Sequence, residues 1–404
     1  MTVTEMAVFA TPRPIAVVGR GPAGLAAACL LAEAGLECVL IGPAQTQADR
    51  RTVAIMMPAV RMLDRLGAWP HDHSAPLRAL RIVDDTDRLM RAPEACFEAS
   101  EIGETAFAQS VPADRLIDAL SERVQAEPRI TLIDATVDRL ESEPGANRLV
   151  LTDGRVIEAA LVIAADGRNS PCRAGAGLTM RMRPYPQTAI VYDITHERDH
   201  RGVSTEFHRR SGPFTLVPIA ETRCGVVSVE DTAGADRILA LDDRALAREV
   251  EMRSHRLLGR VEIASPRRTY PLVHATASAY AKSGVLLVAE AAHVMPPIGA
   301  QGLNLGLRDV AAAVGAVIDH CKSGQPDIAA TERDYSASRS LDIGMRMTGV
   351  DILNRSLLSN LLPLQAARSV GLGLLSSVGP LRRLFMREGM APSMILPRLM
   401  REAA

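Results

Sequence analysis

The sequence predicts an α/β fold with a Rossmann-like dinucleotide-binding domain, an inserted antiparallel β-sheet domain and a helical C-terminal tail. Near the N-terminus, a short apolar strand leads through a glycine-rich turn into a helix. Two later apolar runs, within residues 161–173 and 284–309, end in polar loops, and residues 186–274 carry alternating β-branched runs separated by turn residues. A chain of 404 residues corresponds to about two or three folding units, enough to enclose a ligand.

The first motif predicts a site for the pyrophosphate of a dinucleotide. The run Ile15-Ala-Val-Val18 is followed by Gly19-Arg-Gly21-Pro-Ala-Gly24 and then by an Ala- and Leu-rich helix. The first glycine permits the tight turn, the second lets backbone approach the pyrophosphate, and the third lets the helix pack closely on the strand. Backbone amides at the helix start face the anion.

A second strand is predicted at residues 37–41, and its end lacks a familiar feature. An acidic residue at this point commonly binds the adenosine ribose. Here the sequence continues Ile41-Gly42-Pro43, and Asp49 lies too far along the chain to take that role. Either water and backbone hold the ribose, or another residue replaces this acid, and the sequence does not show which residue that is.

Two further motifs follow buried-strand runs. Leu161-Val-Ile-Ala-Ala165 ends in Asp166-Gly167, and α/β sheets bind ligands at the carboxyl ends of their strands. A strand at residues 284–288 is followed by an uncharged loop with two prolines and two glycines, which then opens a helix running to His320. Such a loop suits backbone packing against a flat ligand, with a helix N-terminus aimed at an electron-rich group.

Composition excludes several other classes. The 46 basic and 47 acidic residues leave no positive excess for a nucleic-acid partner, and one Trp, five Tyr and six Phe provide few platforms for base stacking.

The six cysteines are scattered, without a CxxC pair, which predicts a reducing compartment and no zinc site or other metal. Residues 1–14 lack a signal-peptide pattern, and no apolar run reaches the roughly 20 residues that span a bilayer. We therefore expect a cytoplasmic protein, at most peripheral to the inner face of the membrane.

Taken together, these motifs resemble those of the flavin-dependent aromatic hydroxylases of the para-hydroxybenzoate hydroxylase fold. The tract from His293 through Pro-Pro-Ile-Gly-Ala-Gln-Gly-Leu-Asn to Asp309 is similar to that of the UbiH/UbiF-type ubiquinone-biosynthesis hydroxylases in particular. Arg51-Thr-Val-Ala, Leu-Gly-Ala-Trp69 and Val-Pro-Ala-Asp-Arg115 resemble further segments of that subgroup, and so does the stretch around Phe207. The resemblance covers nearly the whole chain.

The resemblance implies a set of FAD-binding residues. It places the pyrophosphate at the first motif, a contact to FAD and to the passing nicotinamide at the Asp-Gly motif, and the ribitol and isoalloxazine at the third. Where the family's third motif opens with Gly-Asp, this chain has Ala289-Glu290, which keeps the acceptor with one more methylene. The implied residues are Gly19, Gly21, Gly24, Arg51, Arg115, Asp166, Glu290, Pro297, Gly299, Gln301, Gly302, Leu303 and Asn304.

The implied activity is hydroxylation of the aromatic ring of a polyprenylated phenol in ubiquinone biosynthesis. In the family, NAD(P)H as a transient donor reduces the flavin, molecular oxygen forms a flavin hydroperoxide, and the electron-rich ring attacks it in a site from which water is excluded. No side-chain nucleophile is required, so no residue is assigned a catalytic role. His293 is expected to be a structural hydrogen-bonding group. Five residues of the predicted substrate layer are candidates for polarising the phenol, and none of them is assigned this role: Tyr185, Tyr192, His196, His200 and His208.

The predicted domains are discontinuous. Residues 14–85, 108–185 and 275–350 form the FAD-binding domain, residues 86–107 and 186–274 form the substrate-binding sheet, and residues 351–404 form the helical tail. From residue 352 the tail has seven arginines against Glu388 and Glu402, with many Leu and Met. It either packs against the flavin domain or contacts an anionic membrane surface or a partner in a quinone-biosynthesis complex.

Other functions stay open at this point. A flavin disulfide reductase would need a second glycine fingerprint and a redox cysteine pair, and a halogenase of this family would carry a tryptophan-rich motif, whereas the chain has one Trp. A hydroxylase of another aromatic compound, or a catalytically silent flavoprotein subunit of a quinone-biosynthesis complex, fits the same motifs. The ring carbon, the choice of NADH or NADPH and the oligomeric state are not determined by the sequence.

Overall fold

The protein combines α-helices with two large β-sheets. The computed structural model describes residues 13–44, 51–87, 91–143, 146–296, 301–322, 324–358, 379–390 and 396–401. Within these ranges the helices are α1 (Pro22–Glu33), α2 (Met57–Arg65), α3 (Ala113–Gln125), α4 (Pro171–Gly175), α5 (Thr232–Ala240), α6 (Asp243–Arg253), α7 (Gln301–His320), α8 (Ile328–Leu358) and α9 (Gly379–Met390). Short 3₁₀ turns cover His71–His73, Ala99–Ile102, Ala289–Ala291 and Arg398–Met400.

The strands fall into two main sheets and three small ones. In the first half of the chain they are β1 (Ile15–Val18), β2 (Cys38–Ile41), β3 (Thr52–Met56), β4 (Ala75–Leu77), β5 (Ala79–Asp84), β6 (Ala95–Glu98), β7 (Ala108–Pro112), β8 (Ile130–Ile133), β9 (Val137–Glu143), β10 (Ala146–Leu151), β11 (Val156–Ala159) and β12 (Leu161–Ala164). In the second half they are β13 (Met180–His196), β14 (Val203–His208), β15 (Pro213–Ala220), β16 (Arg223–Asp231), β17 (Val261–Ile263), β18 (Arg268–Ala277), β19 (Ala281–Lys282), β20 (Val285–Leu287), β21 (His293–Val294), β22 (Cys321–Lys322) and β23 (Gln325–Pro326).

The first main sheet has the order β19-β20-β12-β1-β2-β8 and is parallel except at the β19–β20 edge. Every residue of β1, β2 and β12 is buried, because α1, α3 and α7 cover one face and α4 with the β9–β10–β11 sheet covers the other. A parallel strand buried on both faces requires a continuous apolar run, which is what these segments contain. The predicted Rossmann-like architecture is therefore confirmed.

The second main sheet has the order β21-β18-β13-β16-β15-β14-β5-β6, with β17 paired to β13. Its outer face is covered by α5 and α6, which pack on alternate residues such as Ile190, Tyr192, Phe207 and Phe214. We call the opposite face, which carries Ala189, Val229 and Leu272 next to Tyr185 and Tyr270, the inner face.

The predicted boundaries between the two layers are wrong where strands of the substrate sheet extend into segments assigned to the FAD-binding domain. β13 starts at Met180, and β18 runs to Ala277 and pairs with β21. β5 lies in the segment that was assigned to the FAD-binding domain, yet it pairs in parallel with β14 and antiparallel with β6, so the substrate sheet begins at Ala79. The sheet is therefore predominantly rather than wholly antiparallel. The partner strand lies more than 100 residues away in sequence, and local patterning carries no information about such a pairing.

The C-terminal segments contact both layers. Tyr335 on α8 and Met400 pack in the core of the first main sheet. The side chain of Asn354 on α8 donates to Gln187 on β13, and Met386 on α9 packs against Phe97 and Phe107. Residues 359–378, 391–395 and 402–404 of the predicted tail lie outside the described residues. None of the helices in the described ranges is both long enough and apolar enough to cross a bilayer.

Candidate active site

The glycine turn between β1 and α1 has the geometry that a pyrophosphate requires. A Cβ atom on Gly19, whose φ is +113°, would lie 2.2 Å from the carbonyl oxygen of Ala165, and one on Gly24 would lie 1.9 Å from that of Gly19. At Gly21, the N-cap of α1, no atom of the described residues lies within 4 Å of the Cβ position, and no side chain caps the helix. The first-turn amides of α1 therefore face open space that an anion can fill.

Asp166 lies directly beside this turn. Its backbone nitrogen is 3.1 Å from the Cβ position of Gly19. Its Oδ2 accepts a hydrogen bond from the Cys172 amide at 3.0 Å, whereas its Oδ1 is buried and has no hydrogen-bond partner among the described residues. A buried carboxylate oxygen without a donor is costly, so this atom is poised to accept a hydrogen bond from a bound group.

The third motif joins the other two. The Val288 amide donates to the Ala164 carbonyl at 3.0 Å, and the Arg173 guanidinium donates to the Ala291 carbonyl at 3.1 Å, so the third motif begins next to the Asp-Gly motif. Glu290 lies exposed in the 3₁₀ turn between them, and its predicted ribitol contact stays a prediction. Pro297 and Gly299 lie outside the described residues.

The first turn of α7 is fixed by side-chain contacts within the protein. Asn304 accepts from the Met56 amide at 2.7 Å and donates to the Ala54 carbonyl at 2.8 Å, and Gln301 accepts from Arg346 at 3.0 Å. Gly302 is exposed and Leu303 is half-buried. The side chains of Asn304 and Gln301 thus hold the helix start against β3 and α8, which leaves the backbone of this turn to meet a ligand.

The two arginines implied by the resemblance lie at one end of the β3–β7 pair. The Ala113 amide donates to the Arg51 carbonyl at 2.8 Å, and Arg115 follows two residues later in the first turn of α3. Both side chains are exposed. The Arg51 guanidinium carbon lies 5.2 Å from the ring centre of Tyr270 on the inner face, so Arg51 spans the two layers.

Sequence reasoning missed the groups at the carboxyl end of β2. A Cβ on Gly42 would lie 2.8 Å from Cγ of Arg20, so the Arg20 side chain occupies the space of the missing acid. On the neighbouring strand β8, Ile133 is the register partner of Ile41, and Asp134 follows it. Asp134 Oδ1 accepts from the Ala44 amide at 2.9 Å and lies 3.9 Å from Arg20 Nη1, with 66% of the side chain exposed. A carboxylate therefore stands at this edge of the sheet, supplied by the next strand.

A buried network of charges supports the third motif. Asp309 on α7 accepts from Arg339 at 2.8 Å, from His293 at 2.6 Å and from the Ala289 amide at 3.0 Å. Asp342 on α8 pairs with three arginines: Arg308, Arg339 and Arg346. Burial opposes ionisation of Asp309, but the charges of His293 and Arg339 outweigh it and hold the pKa of its carboxyl below the usual value. His293 is thus the structural hydrogen-bonding group that the sequence predicts.

The five candidate phenol-polarising residues lie on different faces of the substrate sheet and in one of its loops. Tyr192 packs into the outer core, where burial raises the pKa of its hydroxyl well above the usual value, and His196 lies on the same side of β13. Tyr185 lies on the inner face. His208 also points inward, since its neighbour Phe207 packs outward, and its Nε2 lies 2.7 Å from Glu206 Oε1. His200 lies in the loop after β13.

These features fit FAD. The open glycine turn, the unpaired Asp166 oxygen and the backbone of the α7 turn converge from three separate stretches of chain, and the inner face of the substrate sheet adjoins them through Arg51 and Tyr270. The described residues thus provide an anion site, an acceptor and a neighbouring apolar surface, which are the features that a flavin dinucleotide and an aromatic substrate need.

Comparisons with known sequences point to the same cofactor. The sequence profile described as FAD binding domain matches residues 13–342. Ubiquinone hydroxylase UbiL of Rhodospirillum rubrum is 33% identical over 401 residues, which cover 96% of this chain and 92% of that protein. The 3-demethoxyubiquinol 3-hydroxylase of Escherichia coli is 27% identical over 381 residues, which cover 92% of this chain and 97% of that protein.

Solved structures share the fold. The p-nitrophenol 4-monooxygenase PnpA of Pseudomonas putida superposes with a TM-score of 0.74 at 18% identity and covers 93% of this chain and 97% of its own. HpxO of Klebsiella pneumoniae, solved with FAD and uric acid, superposes with a TM-score of 0.75 at 19% identity and covers 96% and 98%.

Fold and site together define a flavoprotein that binds FAD through a Rossmann-like domain and presents a β-sheet to its substrate. The chain belongs to the FAD-binding-domain family of flavin-dependent aromatic hydroxylases, the family that the sequence motifs predict. It is an FAD-dependent oxidoreductase of the monooxygenase type, with NAD(P)H as the electron donor typical of the family.

Proposed function

We propose that this protein hydroxylates the aromatic ring of a polyprenylated phenol in ubiquinone biosynthesis. The observation that carries the proposal is the convergence of three distant motifs on one open turn next to the inner face of the substrate sheet. The full-length similarity to curated ubiquinone hydroxylases supports the choice of pathway. Over the reaction, the ring C–H, O₂, NAD(P)H and a proton become C–OH, water and NAD(P)⁺.

The protein supplies position and a dry surface. Bound FAD, once reduced, activates oxygen for transfer to the ring. The glycine turn and the α7 helix start would hold the pyrophosphate, and Asp166 would accept a hydrogen bond from the cofactor. The inner face carries Ala189, Val229 and Leu272, which exclude water from the reacting ring. Arg51, stacked on Tyr270, would fix the distance between the flavin layer and this face.

The pathway is tested in a strain that lacks this protein. We expect ubiquinone to fall and a polyprenylated phenol with an unmodified ring position to accumulate, and the accumulated compound identifies the carbon that is hydroxylated. Unchanged quinone and precursor levels would reject the pathway and leave a hydroxylase of another aromatic compound. If the purified protein lacks flavin absorbance or consumes no NAD(P)H in the presence of oxygen and a prenylphenol, it is a silent subunit.

The carboxylate of Asp134 is proposed to replace the missing ribose acid. We expect Asp134→Asn to weaken FAD binding about tenfold, because a hydrogen bond to a charged acceptor is lost, while FMN, which has no adenosine, binds as in the wild type. Both dissociation constants can be measured by quenching of flavin fluorescence. Asp153→Asn, which changes an exposed carboxylate in the turn between β10 and β11, is the control. Equal loss of FMN affinity, or no loss of FAD affinity, would rule out this role.

We further propose that α9 gives the protein a peripheral contact with anionic membranes. Its buried side carries Met386, while Leu381 and Leu384 are 42% and 53% exposed beside the exposed Arg383 and Arg387. Basic residues near an anionic surface contribute about 1 kcal/mol each, and exposed leucines add apolar burial.

Sedimentation with vesicles tests this contact. The wild-type protein should sediment with phosphatidylglycerol vesicles and be released by salt, and a variant with Arg383→Gln, Arg387→Gln, Leu381→Ser and Leu384→Ser should stay in the supernatant. Arg139→Gln, at an exposed arginine of β9, should sediment like the wild type. Equal sedimentation of the α9 variant would show that the contact, if any, lies elsewhere.

A further inference from the structure

A second cluster of chemically reactive side chains lies on the outer face of the substrate sheet, away from the FAD side. His196 ends β13, Cys224 lies on β16 as the neighbour of Ile194 in register, and His200 follows in the next loop. One ligand atom from each of these three residues lies within 4.8 Å of the other two. The sequence predicted no zinc site because its cysteines are scattered, but pairing of β13 with β16 brings donors together that are 24 to 28 residues apart.

The protonation state of His196 is set by its neighbours. Its Nδ1 lies 2.9 Å from the Arg198 carbonyl oxygen, which can only accept, so Nδ1 carries the proton. The lone pair of Nε2 is therefore directed at Cys224 Sγ, 3.3 Å away. A backbone carbonyl that fixes the tautomer of an imidazole in this way is the usual arrangement around a metal-binding histidine.

His200 supplies the third donor. Its Nδ1 accepts from the Gly202 amide at 3.0 Å and its Nε2 donates to the Ala220 carbonyl oxygen at 2.5 Å, so both ring nitrogens are bound to backbone groups. Asp199 Oδ1 lies 3.8 Å from Nδ1. To bind an ion, His200 exchanges one of these backbone hydrogen bonds for a coordinate bond. The loop therefore moves slightly when the site is filled.

An adjacent cavity provides room for a further ligand. Its volume is about 270 Å³, and Cys224, His200 and Asp199 line it together with Leu216 and Leu258. Three arginines also border it. Arg198 and Arg201 are exposed, so water and salt screen their repulsion of a cation, and the half-buried Arg81 is paired with Glu94 at 3.3 Å. The cavity lies on the α6 side of the sheet, whereas Arg51 and Tyr270 lie on the inner face, so this site is separate from the FAD site.

We propose that His196, His200 and Cys224 bind a zinc ion whose fourth position opens into this cavity. One thiolate and two imidazoles form a donor set that zinc prefers, and three protein ligands with an open fourth position are compatible with its tetrahedral geometry. Burial raises the pKa of the Cys224 thiol to about 12, so zinc has to displace its proton on binding. The bound ion would tie the loop of residues 197–202 to β16.

The test is metal binding by the full-length protein after treatment with chelator. Zinc should bind with a stoichiometry of one per chain, and cobalt in its place should give a thiolate charge-transfer band in the near ultraviolet. Cys224→Ser and His196→Gln should each weaken zinc binding at least about 100-fold, while Cys321→Ser, at a cysteine in the distant β22–β23 hairpin, should bind like the wild type.

Measuring flavin content alongside zinc separates the zinc proposal from the proposed hydroxylase activity. Flavin content should be equal in all of these proteins, since none of the changed residues lies at the FAD site. If Cys224→Ser fails to fold, His200→Asn provides the same test at a less buried position. Absence of stoichiometric zinc in the wild type, or equal zinc affinity in the ligand variants, would overturn the proposal and leave a thiol–imidazole hydrogen bond.

Discussion

Gly21→Ala should fold like the wild type and lose most of its affinity for FAD. No atom of the described residues lies within 4 Å of the added Cβ, so the protein itself accommodates the methyl group. The methyl group would instead occupy the space where backbone approaches the pyrophosphate. Forced displacement of a packed group costs about 1–3 kcal/mol, which corresponds to a roughly 5- to 150-fold higher dissociation constant for FAD.

The measurement pairs flavin fluorescence titration with urea denaturation of the apoprotein. Gly24→Ala is the matched comparison, because its Cβ would lie 1.9 Å from the Gly19 carbonyl and must displace α1 from the turn. That variant should lose both stability and FAD binding. If Gly21→Ala keeps its FAD affinity, the pyrophosphate does not lie at this turn.

Asp309→Asn should have the largest effect on stability. The carboxyl is 0% exposed and binds Arg339 and His293, so its removal leaves buried positive charge without compensation. Breaking a buried ion pair from one side costs about 3–5 kcal/mol. Because the network holds Ala289 and α7 in place, flavin affinity should fall as well.

The contribution of Asp309 to the free energy of unfolding should depend on pH in a defined direction. The pKa of Asp309 in the folded protein lies below its unfolded value, so its stabilisation is complete above about pH 4 and is lost as the pH falls through the folded value. The difference in unfolding free energy between wild type and Asp309→Asn should therefore be large at pH 7 and shrink in strong acid. Asp334→Asn, which breaks an exposed Asp–His pair on the same helix layer, should leave the unfolding midpoint unchanged. Equal midpoints for Asp309→Asn and wild type would contradict the assigned role.

The parts of this molecule that could be predicted from sequence are those dictated by local pattern. The runs at Ile15–Val18 and Leu161–Ala164 are apolar throughout because a central parallel strand is buried on both faces, and the glycines stand where a Cβ would collide or block a ligand. The proximity of Asp166 to Gly19 follows from adjacent parallel strands, whose carboxyl ends lie at one edge.

Features that depend on distant pairing could not be predicted. In the sequence, Asp342 and the arginines that pair with it look like charges on a solvent-exposed helix. Only tertiary packing removes Asp342 from water. The parallel pairing of β5 with β14, the placement of Asp134 beside Gly42, and the meeting of His196 with Cys224 all depend on which strands become neighbours. Strand alternation places Tyr185 and Tyr192 on opposite faces, but which face adjoins the flavin layer could not be predicted, because it is fixed by what packs on the sheet.

Incorporation of isotopically labelled oxygen tests the central claim most directly. Purified protein with FAD, NAD(P)H, a polyprenylated phenol and ¹⁸O₂ should yield a product whose new ring hydroxyl carries one ¹⁸O atom, with loss of product when FAD or NAD(P)H is omitted. A product hydroxylated with unlabelled oxygen from water, or oxidation of NAD(P)H to hydrogen peroxide with the phenol unchanged, would contradict it.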